Sequence, residues 1–225
     1  MLIIYLMKTY PICLINLENK KSIVVGGGKI ALRKTLSLLD AGACVTVISP
    51  ILEPTLLSLV KQNLVQWEQR IFVKGDLKHA FMVIAATNDP QVNQEIWEEA
   101  TSQGSLINVV DDPLHSNFIL PAVVKRGELQ VAISTGGSSP ALARRLREKF
   151  ETIISPEYQL ITEILSELRP ELIALTEPGE PRLKAALELV DSPLLEVIKL
   201  YGKDAALEYA RKKLTSNHTL KEDCE

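Results

Sequence analysis

The sequence predicts an α/β protein: a parallel sheet with helices on both faces, then a strand-helix segment and an all-helical C-terminal part. Three observations carry this. Short apolar runs alternate with amphipathic helical stretches from Ser22 to Val110. A triple glycine joins the first apolar run to the first helical one, and after Ser155 only helical patterns remain.

The elements follow in order. "SIVV" ends at Gly26 as a short β-branched strand, and "KIALRKTLSLLDAG" follows with helical periodicity. Its Ile30, Leu32, Leu36 and Leu39 are expected to share a buried side, with Arg33, Lys34 and Asp40 outward. Gly42 closes that helix and "CVTVIS" is the second buried strand. "EPTLLSLVKQ" is a helix that tolerates Pro54 near its start, "LVQWEQR" a strand, and "FMVIAAT" a deeply buried strand. "PQVNQEIWEEATSQG" reads as a helix opening after Asn88-Asp89 and ending at Gly104. "SLINVV" is the last strand of the series and runs into Asp111-Asp112-Pro113. The pattern then changes. "FILPAVVKRGELQVAIST" reads as a hairpin turning at Lys125–Glu128. The next helix starts with Ser139 as N-cap and Pro140 in its first turn. Pro156, Pro170, "EPGEP" and Ser192-Pro193 should punctuate the remaining helices, and "TSNHTLKEDCE" should fray.

Composition narrows the function. With 46% hydrophobic residues the 225-residue chain can build its own core, without disulfide or metal staples. Net charge is −3, from 25 basic and 28 acidic residues, so no global basic field favours nucleic acid or anionic membrane. Cys13, Cys44 and Cys224 are widely spaced, and the first two are expected to pack as small hydrophobes in a reduced, cytoplasmic setting. The apolar start is interrupted by Lys8, Pro11, Asn16 and Glu18, which suits neither a signal peptide nor a transmembrane helix. Either Met1 or Met7 could begin the chain. His79, His115 and His218 have no metal-ligand spacing, so no protein metal site is expected.

The glycines carry the first chemical signal. Gly26, Gly28 and Ala31 fit G-x-G-x-x-(G/A) between a strand and a helix, the Rossmann-like dinucleotide fingerprint. A tight turn, close approach of a pyrophosphate and close helix-strand packing each need one of these positions, and the helix N-terminus favours the anion. The ribose-binding acid expected about 20 residues on is missing: Ser49-Pro50-Ile51 stands there, with no Arg for a 2′-phosphate. NAD is favoured over NADP, although that strand end does not decide it. Asp111 lies at the carboxyl end of a parallel strand, where open α/β sheets build their sites.

"YPICLINLENKKSIVVGGGKIALRK", "VIAATNDPQVNQEI" and "INVVDDPLHSNFILPAVVKRGELQVAISTGGSSPALARRLREKFE" together resemble the precorrin-2 dehydrogenase family, whose module also forms the N-terminal part of siroheme synthases. The likeness covers Tyr10 to Glu151. It implies NAD-dependent oxidation of precorrin-2 to sirohydrochlorin in a homodimer, and in many members insertion of ferrous iron. It further implies three parts: a Rossmann-like NAD-binding domain (1–113), a dimerisation segment (114–152) and a helical domain (153–225). By the same resemblance, Gly26, Gly28, Lys29 and Ile30 would hold the pyrophosphate and Ser49, Pro50 and Ile51 would border the ribose. Thr87 and Asn88 would lie near the nicotinamide, and Asp111 would be the catalytic carboxylate. Asp112 is given no role, the adjacent side chain being expected to point away. A loop histidine without function is the favoured reading of His115. "STGGSSPALARRLREK" is a candidate substrate surface through Thr135, Gly136, Gly137, Ser138, Arg144 and Arg145, with Arg147 and Lys149 nearby to pair with substrate carboxylates. Methylation of the tetrapyrrole precursor is expected on another polypeptide. Two rival expectations remain: a chelatase with a vestigial nucleotide site, and an NAD-binding regulatory module without catalysis.

Overall fold

The computed structural model describes residues 8–222, with side chains described to 216. Met1, Met7 and Cys224, and the side chain of His218, lie outside that range. The chain forms two compact units, 1–120 with 136–138, and 121–135 with 139–225.

The first unit is a five-stranded all-parallel sheet. Its strands are β1 (Lys21–Val25), β2 (Cys44–Ile48), β3 (Gln66–Glu68), β4 (Met82–Ala85) and β5 (Leu106–Val109), in the order β3-β2-β1-β4-β5. The order reverses between β1 and β4, the crevice where doubly wound sheets bind ligands. Helices α1 (Lys29–Asp40) and α2 (Pro54–Lys61) cover one face, and α3 (Pro90–Ser102) covers the other. Two apolar layers result: Val24, Val45, Val47, Ile84, Ala31, Leu38 and Leu56 on the first side, and Ile23, Val83, Ile107, Ile96 and Ala100 on the second. Alternate residues of each strand feed opposite layers, as pleating requires.

Helix α1 buries a different stripe from the expected one. Ala31, Thr35 and Leu38 are buried, Leu32 and Leu39 flank them, and Ile30 and Leu36 are exposed. Close seating on β1 and β2 needs small residues at the contact, so Ala31 and Thr35 take the places expected of larger side chains. Lys34, expected outward, is half-buried as a consequence. Cys44 opens β2 on the side away from the core and is exposed; Cys13, in a run of exposed residues ahead of Leu17, is exposed too. Neither packs as expected.

The second unit begins with the antiparallel pair β6 (Ala122–Arg126) and β7 (Leu129–Ile133). Helix α4 (Pro140–Ile153) follows, with Ser139 Oγ accepting from Leu142 N–H as the sequence implied. Helices α5 (Tyr158–Leu175), α6 (Glu180–Val190) and α7 (Leu194–Glu222) share a core built on Ile164, Leu168, Leu189, Leu194, Ile198, Ala206 and Leu214. Pro170 lies inside α5 rather than ending it, on the exposed side. The expected frayed tail is instead helical to Glu222, and the break in α7 comes at Gly202 (φ 84°, ψ −179°). Among the described residues no helix is long and apolar enough to cross a membrane.

Candidate functional site

The glycine turn is shaped by neighbours distant in sequence. Gly26 has φ 120°, and a Cβ there would lie 2.2 Å from the carbonyl oxygen of Ala86. At Gly27 a Cβ would meet the Ile51 carbonyl oxygen at 2.0 Å and Ser49 Oγ at 2.6 Å. Over Gly28 nothing lies within 4 Å. Two glycines thus admit protein backbone, and the third leaves open space at the start of α1. Gly28 has no side chain with which to cap α1, so the first-turn N–H groups and the positive end of the helix are available to an anion. The loop is tied down by Gly26 N–H to Ile48 O (2.9 Å) and Glu53 N–H to Gly27 O (2.7 Å).

Around this turn lies a cleft of about 620 Å³. It brings together Gly26, Gly28, Lys29, Ser49, Pro50, Ile51, Thr87 and Asn88 from the sequence-derived set. Ile30 is outside the lining, one residue along α1. Gly27, Glu53, Ile71 and Phe72 line it as well, and none of these was singled out from the sequence. Ser49 is buried; its hydroxyl donates to Ile51 O (2.8 Å) and its carbonyl accepts from Trp67 Nε1–H (2.8 Å). Glu53 caps α2, its carboxylate accepting from the N–H groups of Thr55 (2.8 Å) and Leu56 (3.3 Å). At the other end, Thr87 Oγ1 lies 2.7 Å from Asn93 Oδ1, while Asn93 Nδ2 donates back to Thr87 O at 3.1 Å.

One wall comes from the segment between β3 and β4. Arg70 donates twice to Asp76, at 2.7 and 2.9 Å, and Asp76 also accepts from Val73 N–H. Burial pushes the Asp76 carboxyl up, but the Arg70 hydrogen bonds and the Val73 N–H outweigh it, so the group sits below the ordinary aspartate range. Buried Glu99 of α3 accepts from the N–H groups of Gly75 (2.9 Å) and Leu77 (3.0 Å). These bonds fix the segment that carries Ile71 and Phe72.

Asp111 leaves the same carboxyl edge of the sheet, one strand over from Thr87. Val110 N–H still bonds Ala85 O (2.9 Å), and the chain then turns with Asp111 exposed at φ 60°. Aspartate tolerates that left-handed conformation better than most residues. Asp111 is not part of the cleft lining. Its electrostatic neighbour is Lys34 of α1, whose pKa is lowered, first by burial and then by Arg33, against the opposing pull of Asp111. Asp112, given no role from sequence, is a structural hub. It caps the 3₁₀ turn Pro113–His115, and its carboxylate lies 2.6 Å from His115 Nδ1. Burial raises its pKa, the His115 contacts lower it more, and the net shift is downward. The His115 ring stands edge-on to Trp97 at 4.8 Å between centroids.

In the stretch after β7, Thr135 Oγ1 accepts from Ser139 N–H (3.0 Å), and Gly136 and Gly137 have φ of 59° and 83°. Gly136–Ser138 cluster with the first unit and Thr135, Arg144 and Arg145 with the second. Arg144 and Arg145 are about three-quarters exposed and both pair with Glu148 at 3.1 Å. Their hydrogen bonds, Arg144 first, hold the Glu148 carboxyl below its usual range. Among the described residues no cluster of His, Cys, Asp and Glu could hold a metal ion.

Comparison with known proteins agrees with this fold. Residues 13–122 match a family model described as "Putative NAD(P)-binding", and residues 126–152 match one described as "Sirohaem biosynthesis protein central". Siroheme synthase 1 of Aeromonas salmonicida is 41% identical over 168 residues, covering 74% of this chain and 36% of that protein. Siroheme synthase of Methylobacillus flagellatus is 36% identical over 210 residues, covering 93% of this chain and 44% of that protein. The chain therefore spans less than half the length of these curated relatives. The solved structure of SirC, precorrin-2 dehydrogenase, superposes with a TM-score of 0.75 at 27% identity, covering 91% of this chain and all of that one. With residues 13–122 and 126–152 matched by these models and the fold matched by the SirC structure, the chain belongs to the precorrin-2 dehydrogenase and siroheme synthase family.

Proposed function

We propose that this protein oxidises precorrin-2 to sirohydrochlorin with NAD, on the path to siroheme. The observation that carries the reading is the cleft: a glycine turn packed against Ala86 and Ile51 but open above Gly28, at the sheet edge that also bears Asp111. The residues fit the cofactor. Lys29 and the first turn of α1 would hold the pyrophosphate. Ser49, Pro50 and Ile51 would border the adenosine ribose, and Thr87 and Asn88 the nicotinamide half. When bound, NAD supplies a hydride acceptor. Loss of one hydride and one proton introduces one double bond into the macrocycle, so a single positioned base suffices. Asp111 is the base, exposed on a turn where a large planar substrate can approach, with the Lys34 ammonium as its charged neighbour.

Thr135, Gly136, Gly137 and Ser138 would meet the substrate periphery, with Arg144 and Arg145 exchanging Glu148 for substrate carboxylates. The strand pair and all but the last residue of α4, within residues 114–152, would join two copies; Val123, Leu142 and Phe150 expose apolar surface suited to this. Residues 1–113 are then the nucleotide domain and 153–225 the helical domain of a cytoplasmic homodimer. Ferrous iron is a further substrate in this reading: its insertion releases pyrrole N–H protons, which the same carboxylate can accept. The macrocycle supplies the metal's nitrogen ligands.

The test is NAD titration of the protein, followed by precorrin-2 turnover under anaerobic conditions. Binding with turnover supports the dehydrogenase. Binding without turnover, with Asp111 dispensable, would make the protein a nucleotide-sensing module. Turnover of sirohydrochlorin with iron in the absence of NAD binding would leave a chelatase alone.

A further inference from the structure

The sequence lacks both usual markers of the choice between NAD and NADP, yet the folded cleft carries a charge pattern that decides it. Glu53 lies four residues beyond Ser49, too far along the chain to be read as the ribose-binding acid. The bond from its own N–H to Gly27 O (2.7 Å) folds it back beside the glycine turn, and it lines the cleft with Ser49, Pro50 and Ile51. Its carboxylate is held by the N–H groups of Thr55 and Leu56, so it is fixed in position. A carboxylate beside the adenosine ribose accepts from a 2′-hydroxyl and repels a 2′-phosphate.

The segment after β3 holds its guanidinium in an ion pair. Arg70 immediately precedes Ile71 and Phe72, both of which line the cleft. Its Nη1 and Nη2 donate to Asp76 at 2.7 and 2.9 Å, Nη1 donates also to Ile71 O, and Nε lies 3.6 Å from the Glu68 carboxylate. Asp76 in turn is anchored by Val73 N–H. Among the described residues lining the cleft, Lys29 is the single cation, and it stands at the glycine turn, at the start of α1. Glu53 and Asp89 are the lining acids.

We infer that Glu53 and the Arg70–Asp76 pair make the cleft selective for NAD over NADP: Glu53 repels a 2′-phosphate, and Asp76 ties up Arg70, the residue before the lining Ile71. This rests on the reading of the cleft as a dinucleotide site. Selectivity arises here from a helix-capping residue and a loop salt bridge instead of from the residue at the end of β2.

The experiment titrates the full-length protein with NAD and with NADP separately, following binding calorimetrically. Wild type should bind NADP at least about ten-fold more weakly than NAD, as expected for an added dianionic group facing a fixed carboxylate. Glu53→Gln keeps an oxygen that can still cap α2, and should narrow that ratio several-fold. Asp76→Asn frees Arg70 and should narrow it too; the double variant should narrow it most. The readout is the NADP/NAD ratio within each variant, which a general loosening of the loop would leave unmoved. Equal affinity for both dinucleotides in wild type would overturn the inference. So would an unchanged ratio in both single variants that still bind NAD. Failure of wild type to bind either dinucleotide would instead remove the dinucleotide reading, and this inference with it.

Discussion

At the scale of single residues, the three glycines have separable duties, and alanine distinguishes them. Gly27→Ala drives a Cβ into the Ile51 carbonyl and Ser49 Oγ, an overpacking expected to cost about 1–3 kcal/mol of stability. Gly28→Ala meets nothing within 4 Å at an ordinary φ of −86°. It should leave the thermal midpoint near wild type, within about 0.5 kcal/mol, while weakening NAD by at least about ten-fold through the lost approach of the pyrophosphate. Thermal melts beside NAD titrations check both expectations. Gly26, Gly28 and Ala31 were legible because the fingerprint is local. Gly27 and Glu53 were not, since their constraints come from Ile51 and from a hydrogen bond across the turn. Asp112 was missed for a similar reason: its partner His115 is three residues away, and only the 3₁₀ turn brings the ring to the carboxylate.

At the scale of elements, strand and helix order followed from alternating apolar runs and cap residues, and each strand of the parallel sheet was recognisable. The helix faces were less so. In α1 the larger apolar residues suggested a buried stripe, but the contact with the sheet selects small ones. Pro170 was expected to end a helix, yet α5 continues through it on an exposed face. Its ring removes the bond to the Ser166 carbonyl, so Pro170→Ala should stabilise the helical unit by about 1–3 kcal/mol, seen as a raised thermal midpoint. Gly202 gives the opposite result. With φ 84°, ψ −179° and open space where a Cβ would stand, Gly202→Ala should lower stability by about 1–3 kcal/mol through backbone strain alone. The segment between β3 and β4 has a pH signature. Asp76 is depressed in the fold, so its stabilising contribution is present at neutral pH and disappears as pH falls through and below the ordinary aspartate range. In acid titrations monitored by circular dichroism, Asp76→Asn should be less stable than wild type at pH 7, and that difference should shrink towards acid.

At the scale of the whole molecule, the two units divide the work proposed for one chain. The first holds the cleft and Asp111; the second holds Arg144 and Arg145 and the exposed apolar side chains of β6 and α4. Sedimentation or light scattering should give twice the mass of 24.9 kDa if those side chains join two copies. A monomer at micromolar concentration would remove that role from them. The central claim is that the sheet edge performs an NAD-dependent oxidation with Asp111 as base. It is tested most directly by anaerobic turnover of freshly made precorrin-2 with NAD, recording NADH and the sirohydrochlorin spectrum together, for wild type and Asp111→Asn. The account predicts matched formation of both products by wild type, and loss of at least about 100-fold in turnover for Asp111→Asn with NAD binding unchanged. NAD binding without NADH formation by wild type, or full turnover by Asp111→Asn, would contradict it.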